Sequence, residues 1–245
     1  MNQDASQELP HRLIGVGSYG GKHIPQRAYE RLQSGICYCF GAGEDISFDV
    51  HLARDGHRVF TFDPTPRAKV HFDLLVQNAN AGLPFGIGNS TTSFYTIDPN
   101  TAQRMAFQPI GLWDCDEIQK FYIPKNAAHV SHSILNLQRT DDYFEAPCKT
   151  LKSIMADLGH DQIDLLKMDI EGAEYAALGR MMADGIRPAI LNIEYDEGHS
   201  PLDDGAHNRI LDSVRRLGAF GYALTKRTGW DLTFLRLDLL SAESV

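Results

Sequence analysis

The run from Cys37 to Asp63, CYCFGAGEDISFDVHLARDGHRVFTFD, constrains the fold more than any other stretch of the chain. Ile36 to Phe40 is continuously apolar, the mark of a strand buried on both faces. Gly41 and Gly43 follow at once, residues that let a backbone turn sharply and approach a ligand where a side chain would obstruct it. Ile46, Val50 and Ala53 then repeat at helical spacing from a cap at Asp45, and Gly56 ends the pattern. A second strand, Arg58 to Phe62, delivers Asp63 about twenty residues beyond the turn, where a carboxylate accepts both hydroxyl protons of a ribose. Together these features predict a nucleoside-binding βαβ unit.

The residues after the turn discriminate between nucleosides. A dinucleotide fingerprint places a third glycine after two spacers, so that the helix packs close and its N-terminus meets a pyrophosphate. Here that position is Ile46, and Glu44 and Asp45 set negative charge where the phosphates would lie. Carboxylates repel a pyrophosphate but tolerate S-adenosylmethionine, whose amino-acid end carries an ammonium and a sulfonium. The methyl donor is therefore preferred over NAD, and an NAD-dependent oxidoreductase is the alternative. An isolated GxG is often a tight turn and nothing more; the spacing to Asp63 is what raises it above that.

At 245 residues the chain suits one large α/β domain. Residues 1–35 read as an N-terminal extension and 36–245 as the main domain. The 23 basic and 32 acidic residues give a formal charge of −9, with no dense Lys/Arg run to follow a phosphate backbone, so nucleic acid is not an expected partner. Cysteines 37, 39, 115 and 148 make neither metal knuckles nor a disulfide framework and read as reduced thiols. With no leader-like N-terminus and no apolar run of membrane-spanning length, a cytoplasmic protein without membrane contact is expected. Oligomeric state stays open.

Beyond Asp63 the pattern alternates. A helix is predicted over Arg67–Ala79, a third strand over Ala106–Trp113 and a strand at Ile118–Ile123 inside a long excursion from Asp114 to Lys149. A helix over Thr150–Leu158, a strand over Ile163–Asp169, a helix over Gly172–Ala183, a strand over Pro188–Tyr195 and a helix over Asn208–Leu217 follow. Tyr222–Lys226 and Leu232–Leu237 close the chain as a hairpin around Thr228-Gly229-Trp230. This order describes a Rossmann-like, doubly wound, mostly parallel α/β sheet that binds ligands at the C-terminal ends of its strands.

Chemistry concentrates at the ends of two strands. Lys167, Asp169 and Glu171 share one face if their strand continues to Glu171, and Glu194 and Asp196 repeat the spacing on the next strand. Such charges pair with one another, contact substrate or hold a metal. A Lys167–Glu194 ion pair is the structural reading; Asp169, with Lys167 beside it, is the candidate catalytic carboxylate for removing a hydroxyl proton. His132 is a rival base, and His129, Glu171 and Glu194 are candidate substrate contacts. The oxygen-rich set Asp169, Glu171, Glu194 and Asp196 suits a divalent metal, but no spacing is diagnostic and no metal ligands are assigned.

GAGEDISFD at Gly41–Asp49, FDPTPR at Phe62–Arg67, GLWD at Gly111–Asp114, HVSHSILNLQRT at His129–Thr140 and above all DLLKMDIEGAE at Asp164–Glu174 resemble the FkbM family of S-adenosylmethionine-dependent methyltransferases. The resemblance implies a seven-stranded class I methyltransferase fold, with Gly41, Gly43 and Asp63 at the cofactor and Trp113-Asp114 near the adenine. It also implies O-methylation of a small-molecule, sugar or glycan hydroxyl. Many class I enzymes carry an acidic residue two positions before the first turn glycine; Cys39 stands there instead, leaving Glu44, or backbone near Tyr19–Gly21, to hold the methionine end. A non-catalytic binding module of the same fold is the further alternative.

Overall fold

A computed structural model describes residues 9–16, 20–122 and 140–240. In chain order the strands are β1 (His11–Ile14), β2 (Lys22–Pro25), β3 (Ile36–Phe40), β4 (Arg58–Phe62), β5 (Met105–Gln108), β6 (Gly111–Leu112), β7 (Glu117–Tyr122), β8 (Tyr143–Lys149), β9 (Leu165–Met168), β10 (Ile190–Glu194), β11 (Tyr222–Thr228) and β12 (Asp231–Arg236). The helices are α1 (Gln26–Arg31), α2 (Ser47–Arg54), α3 (Pro66–Ala81), α4 (Pro99–Ala102), α5 (Leu151–Leu158), α6 (Glu174–Ala183), α7 (Ala206–Phe220) and α8 (Leu237–Leu240). Among the described residues no helix is long and apolar enough to cross a membrane.

Seven strands form the central sheet in the order β11-β12-β10-β9-β3-β4-β5. Neighbours from β10 through β5 are parallel, and β12 runs antiparallel to both β10 and β11, so the expected doubly wound sheet with a closing hairpin is present. Winding proceeds outward from β3 through β4 to β5, then restarts at β9 on the other side of β3. That reversal makes the C-terminal ends of β3 and β9 the switch point at which such sheets open a crevice.

Alternation along the strands builds the two layers. Cys37, Cys39, Val59, Leu165 and Ile190 face one side, where α2 and α3 contribute Phe48, Leu52, Phe72 and Leu75. Tyr38, Phe40, Phe62, Leu166 and Ile193 face the other, against Ile154 of α5, Leu178 and Met181 of α6 and Ile210 of α7. The helices start and stop on local chemistry: Thr65 caps α3 by accepting from Ala68 N with Pro66 next in the chain, and Gly82 ends it in a left-handed conformation. The β1–β2 pair lies on the α2 side, with Ile14 and Ile24 fully buried and His23 O accepting from Asn192 Nδ2 and Thr233 Oγ1.

Several boundaries differ from expectation. The third strand does not run through to Trp113: it splits into β5 in the main sheet and β6 in a separate β6-β8-β7 sheet. Pro109 has no amide for the ladder, and Ile110 N turns back onto Gln108 O at 2.9 Å. Within the excursion β7 forms as expected, whereas β8 was hidden because Pro147 reads as a strand breaker yet pairs with Ile118. Helix α2 begins at Ser47, since Asp45 Oδ1 accepts from Ser47 N and holds the preceding chain in a turn. Cys37, Cys39 and Cys148 are buried free thiols and Cys115 is an exposed one.

Candidate functional site

The glycine turn after β3 is fixed by charge from both neighbouring strands. Gly41 sits at φ +82°, and a Cβ there would stand 1.7 Å from Asp169 O, so close approach of the β9 end excludes any side chain. Beneath the turn Lys167 Nζ donates to Gly41 O at 2.7 Å and to Phe40 O at 3.4 Å. On the opposite side Asp63 Oδ2 accepts from Ala42 N and Gly43 N at 2.9 and 3.0 Å. Asp63 Oδ1 accepts from Thr65 N at 2.8 Å and from Thr65 Oγ1 at 2.6 Å. A lysine thus claims the carbonyl of the turn and an aspartate its amides, and the four acceptor positions of that aspartate are all engaged.

The turn forms one wall of a cleft of about 900 Å³, mouth included, whose other walls include Gly20, Phe62, Leu112, Phe121 and Ile170. Carboxylates dominate its polar lining: Glu44, Asp45, Asp63, Asp169 and Glu171, against Lys167. Glu44 is offset by Arg67 Nη2 at 2.8 Å. Amides leading into α2 are closed to a ligand, because Ile46 N donates to Tyr95 Oη at 3.1 Å and Ser47 N to Asp45 Oδ1 at 2.9 Å. A pyrophosphate would meet repulsive charge and lack those amide donors, while a cationic ligand would be attracted. Trp113 and Asp114 do not line the cleft: the break at Pro109 gives that position to Ile110, Gly111 and Leu112, and Trp113 packs instead against the Phe121, Ala146 and Cys148 cluster.

At the strand ends the carboxylates sort into two groups. Asp169, a quarter exposed, has Lys167 Nζ 3.5 Å away. Strand β9 stops at Met168, and Glu171 takes a left-handed φ of +54° rather than continuing the alternation, which brings its side chain to the cleft beside Asp169. Asp196 joins them: one acceptor oxygen from each of Asp169, Glu171 and Asp196 lies within 4.8 Å of the others. Glu194 belongs elsewhere. Its Oε2 accepts from Lys22 Nζ at 2.6 Å and its Oε1 lies 3.5 Å from His199 Nε2, so the expected Lys167–Glu194 pair is replaced by Lys22–Glu194, and Glu194 is not among the cleft-lining residues. His129 and His132 lie outside the described residues.

Three side chains that the sequence reading passed over shape this region. Lys22, buried, bridges Glu194 and Asp231; no local pattern marks it, since its partners are distant in sequence. Asp49 lies fully buried under the turn, accepts from Thr61 Oγ1 at 2.6 Å, and is pushed by burial up to about 6 while Lys167 opposes the rise. Glu174, at the start of α6, is wholly buried; its Oε1 accepts from Gly172 N at 2.9 Å and its Oε2 has no hydrogen-bond partner. Burial raises the pKa of Glu174 and of its neighbour Asp196, and the charge of Glu174 raises Asp196 further. Glu174 stood within DIEGAE, where an acid in a first helical turn reads as an ordinary dipole partner.

A doubly wound sheet with a glycine turn at its switch point and an aspartate closing the adjacent strand defines a Rossmann-like protein of the class I methyltransferase type. The chain belongs to the FkbM methyltransferase family: the methyltransferase FkbM domain matches residues 35–220. It is accordingly an S-adenosylmethionine-dependent methyltransferase. No curated protein matches it. Among solved structures it is similar to cofactor-bound Rv0187 from MTB, at 15% identity and a TM-score of 0.47 over 94% of this chain and 84% of that one. It is also similar to the fibrillarin pre-rRNA processing protein of Methanococcus jannaschii, at 9% identity and a TM-score of 0.42 over 95% and 85%. A TehB-like SAM-dependent methyltransferase from Corynebacterium glutamicum shares 11% identity, with a TM-score of 0.37 over 85% and 87%.

Proposed function

We propose that the protein transfers the methyl group of S-adenosylmethionine to a hydroxyl oxygen of a sugar, glycan or other small molecule, with Asp169 drawing off the hydroxyl proton. The observation that carries this reading is the position of Asp169: a partly exposed carboxylate at the end of β9, in the cleft, with its own backbone oxygen against Gly41. The cofactor fits the residues present, because the acidic lining of the cleft suits a sulfonium and an ammonium. When bound it supplies an electrophilic methyl group. Gly41, Gly43 and Asp63 would hold the nucleoside, a ribose hydroxyl exchanging with the Thr65 hydroxyl on Asp63, while Glu44, or backbone at Gly20, would hold the amino-acid end.

Lys167 acts in this scheme as a positioning residue. Its ammonium donates to Gly41 O and lies 3.5 Å from an Asp169 carboxylate oxygen, so it fixes the turn and orients that carboxylate. An acidic cleft mouth favours a neutral, proton-donating acceptor such as a hydroxyl over an anionic one, and with the formal charge of −9 it disfavours a phosphate backbone. The test is methyl transfer from S-adenosylmethionine across a panel of hydroxyl acceptors. Asp169→Asn is expected to keep cofactor affinity and to lose about 10²–10⁴-fold in turnover, the usual contribution of a positioned general base. Turnover unchanged in that variant would move the base elsewhere.

A further inference from the structure

We propose that Asp169, Glu171 and Asp196 form a divalent-cation site for Mg²⁺ or Mn²⁺ on the acceptor side of the cleft, backed by the buried carboxylate of Glu174. One oxygen from each of the first three lies within 4.8 Å of the others. An octahedral ion with oxygen ligands at about 2.1 Å holds those ligands roughly 3 to 4 Å apart, so a small closure of this set completes three coordination positions. The donor set is all carboxylate, with neither nitrogen nor sulfur, which selects a hard cation.

A second, independent observation points to a ligand. Glu174 is wholly buried, its Oε2 has no partner, and its carboxylate lies within hydrogen-bond reach of Asp196. Asp196 Oδ2 is likewise buried and without a partner. Two neighbouring buried carboxylates in a low-dielectric setting require either a shared proton or a positive charge. Among the described residues the neighbouring lysines are engaged, Lys167 with Gly41 O and Asp169, and Lys22 with Glu194 and Asp231. The group is not sealed: Asp169 and Glu171 line the cleft, so a hydrated cation can reach Asp196 from solvent.

Three protein ligands leave three octahedral positions for water or for acceptor oxygens, and a vicinal diol could occupy two. The role of the cation rests on the methyl-transfer reading; its presence does not. Coordination lowers the pKa of a hydroxyl, so the ion assists the proton removal assigned to Asp169. The oxygen–methyl bond forms as the sulfur–methyl bond breaks, and the hydroxyl proton leaves through a cluster oxygen that the ion does not engage, then to water.

The test uses the whole chain, stripped with chelator and titrated with Mn²⁺ alone, free Mn²⁺ being read by electron paramagnetic resonance with neither cofactor nor acceptor present. The expected result is one saturable site at submillimolar Mn²⁺, displaced by Mg²⁺. Asp196→Asn and Glu171→Gln are each expected to weaken it about 10-fold or more, while Asp73→Asn, an exposed carboxylate paired with Lys69, leaves it unchanged. Asp196→Asn removes a buried repulsion and should fold, which its melting temperature verifies. No saturable binding at millimolar Mn²⁺, or binding indifferent to both substitutions, overturns the site and shows that the buried pair holds a proton. Because the readout is free of turnover, an inactive enzyme that binds Mn²⁺ upholds the site and removes the methyl-transfer reading, whereas an active enzyme that binds no Mn²⁺ does the reverse.

Discussion

Gly41 and Asp63 show how much a single position can carry. At Gly41 the constraint is steric: Gly41→Ala would force a left-handed alanine whose Cβ meets Asp169 O at 1.7 Å, so the turn must open. The expected outcome is loss of saturable S-adenosylmethionine binding together with a lowered melting temperature, both readable in one thermal-shift titration. At His71 the constraint is electrostatic. Burial lowers its pKa, and its Nε2 lies 2.8 Å from the Tyr95 hydroxyl that in turn receives Ile46 N. Below the unfolded value of about 6.5 the unfolded chain takes up a proton that the folded chain resists, so stability is full above that pH and declines as pH falls through it. Urea denaturation from pH 7.5 to 5 should show His71→Gln with a shallower acid decline than the parent. Equal slopes would assign the decline to His51, His57 and His160, which burial also lowers. Gly41, Gly43 and Asp63 were legible because their meaning lies in local spacing; Lys22, Asp49 and Glu174 were not, because burial and neighbours from other elements give each its role.

Among the elements, those whose apolar period is set by two-sided burial were readable nearly to the residue: β3 and β4 run over Ile36–Phe40 and Arg58–Phe62 as expected. Elements at the margin misled, and proline is the common cause. Pro109 ends β5 and hands Gly111–Leu112 to another sheet, while Pro147 sits inside β8 with its partner Ile118. The β1–β2 pair had no legible role, because it works by laying Lys22 between Glu194 at the end of β10 and Asp231 at the start of β12. Lys22→Met leaves both carboxylates without that cation. The expected cost is about 2 kcal/mol, below the roughly 3–5 kcal/mol of breaking a fully buried pair since both partners keep some exposure. Denaturant unfolding measures it, and no change would mean that solvent already satisfies Glu194 and Asp231. Thr65→Ala removes both the α3 cap and the hydroxyl on Asp63, and should cost about 1–2 kcal/mol by the same measurement.

The molecule as a whole is a sheet whose winding reverses between β3 and β9, with the glycine turn, Asp63 and Asp169 converging where the strand ends open. That convergence follows from topology, and topology was readable because strands and helices alternate and the last two strands read as a hairpin. The identity of the acceptor was not readable, because specificity is set by the shape of the surrounding wall rather than by any motif. What distinguishes this cleft from a dinucleotide site is also a property of the whole: carboxylates around its rim and amides into α2 already closed by Tyr95 and Asp45. The most direct measurement is a crystal structure with S-adenosylhomocysteine. The adenosine is expected over Gly41–Gly43, with a ribose hydroxyl within about 3 Å of Asp63. Adenosine found away from that turn, or a ribose out of reach of Asp63, would contradict the assignment of the pocket.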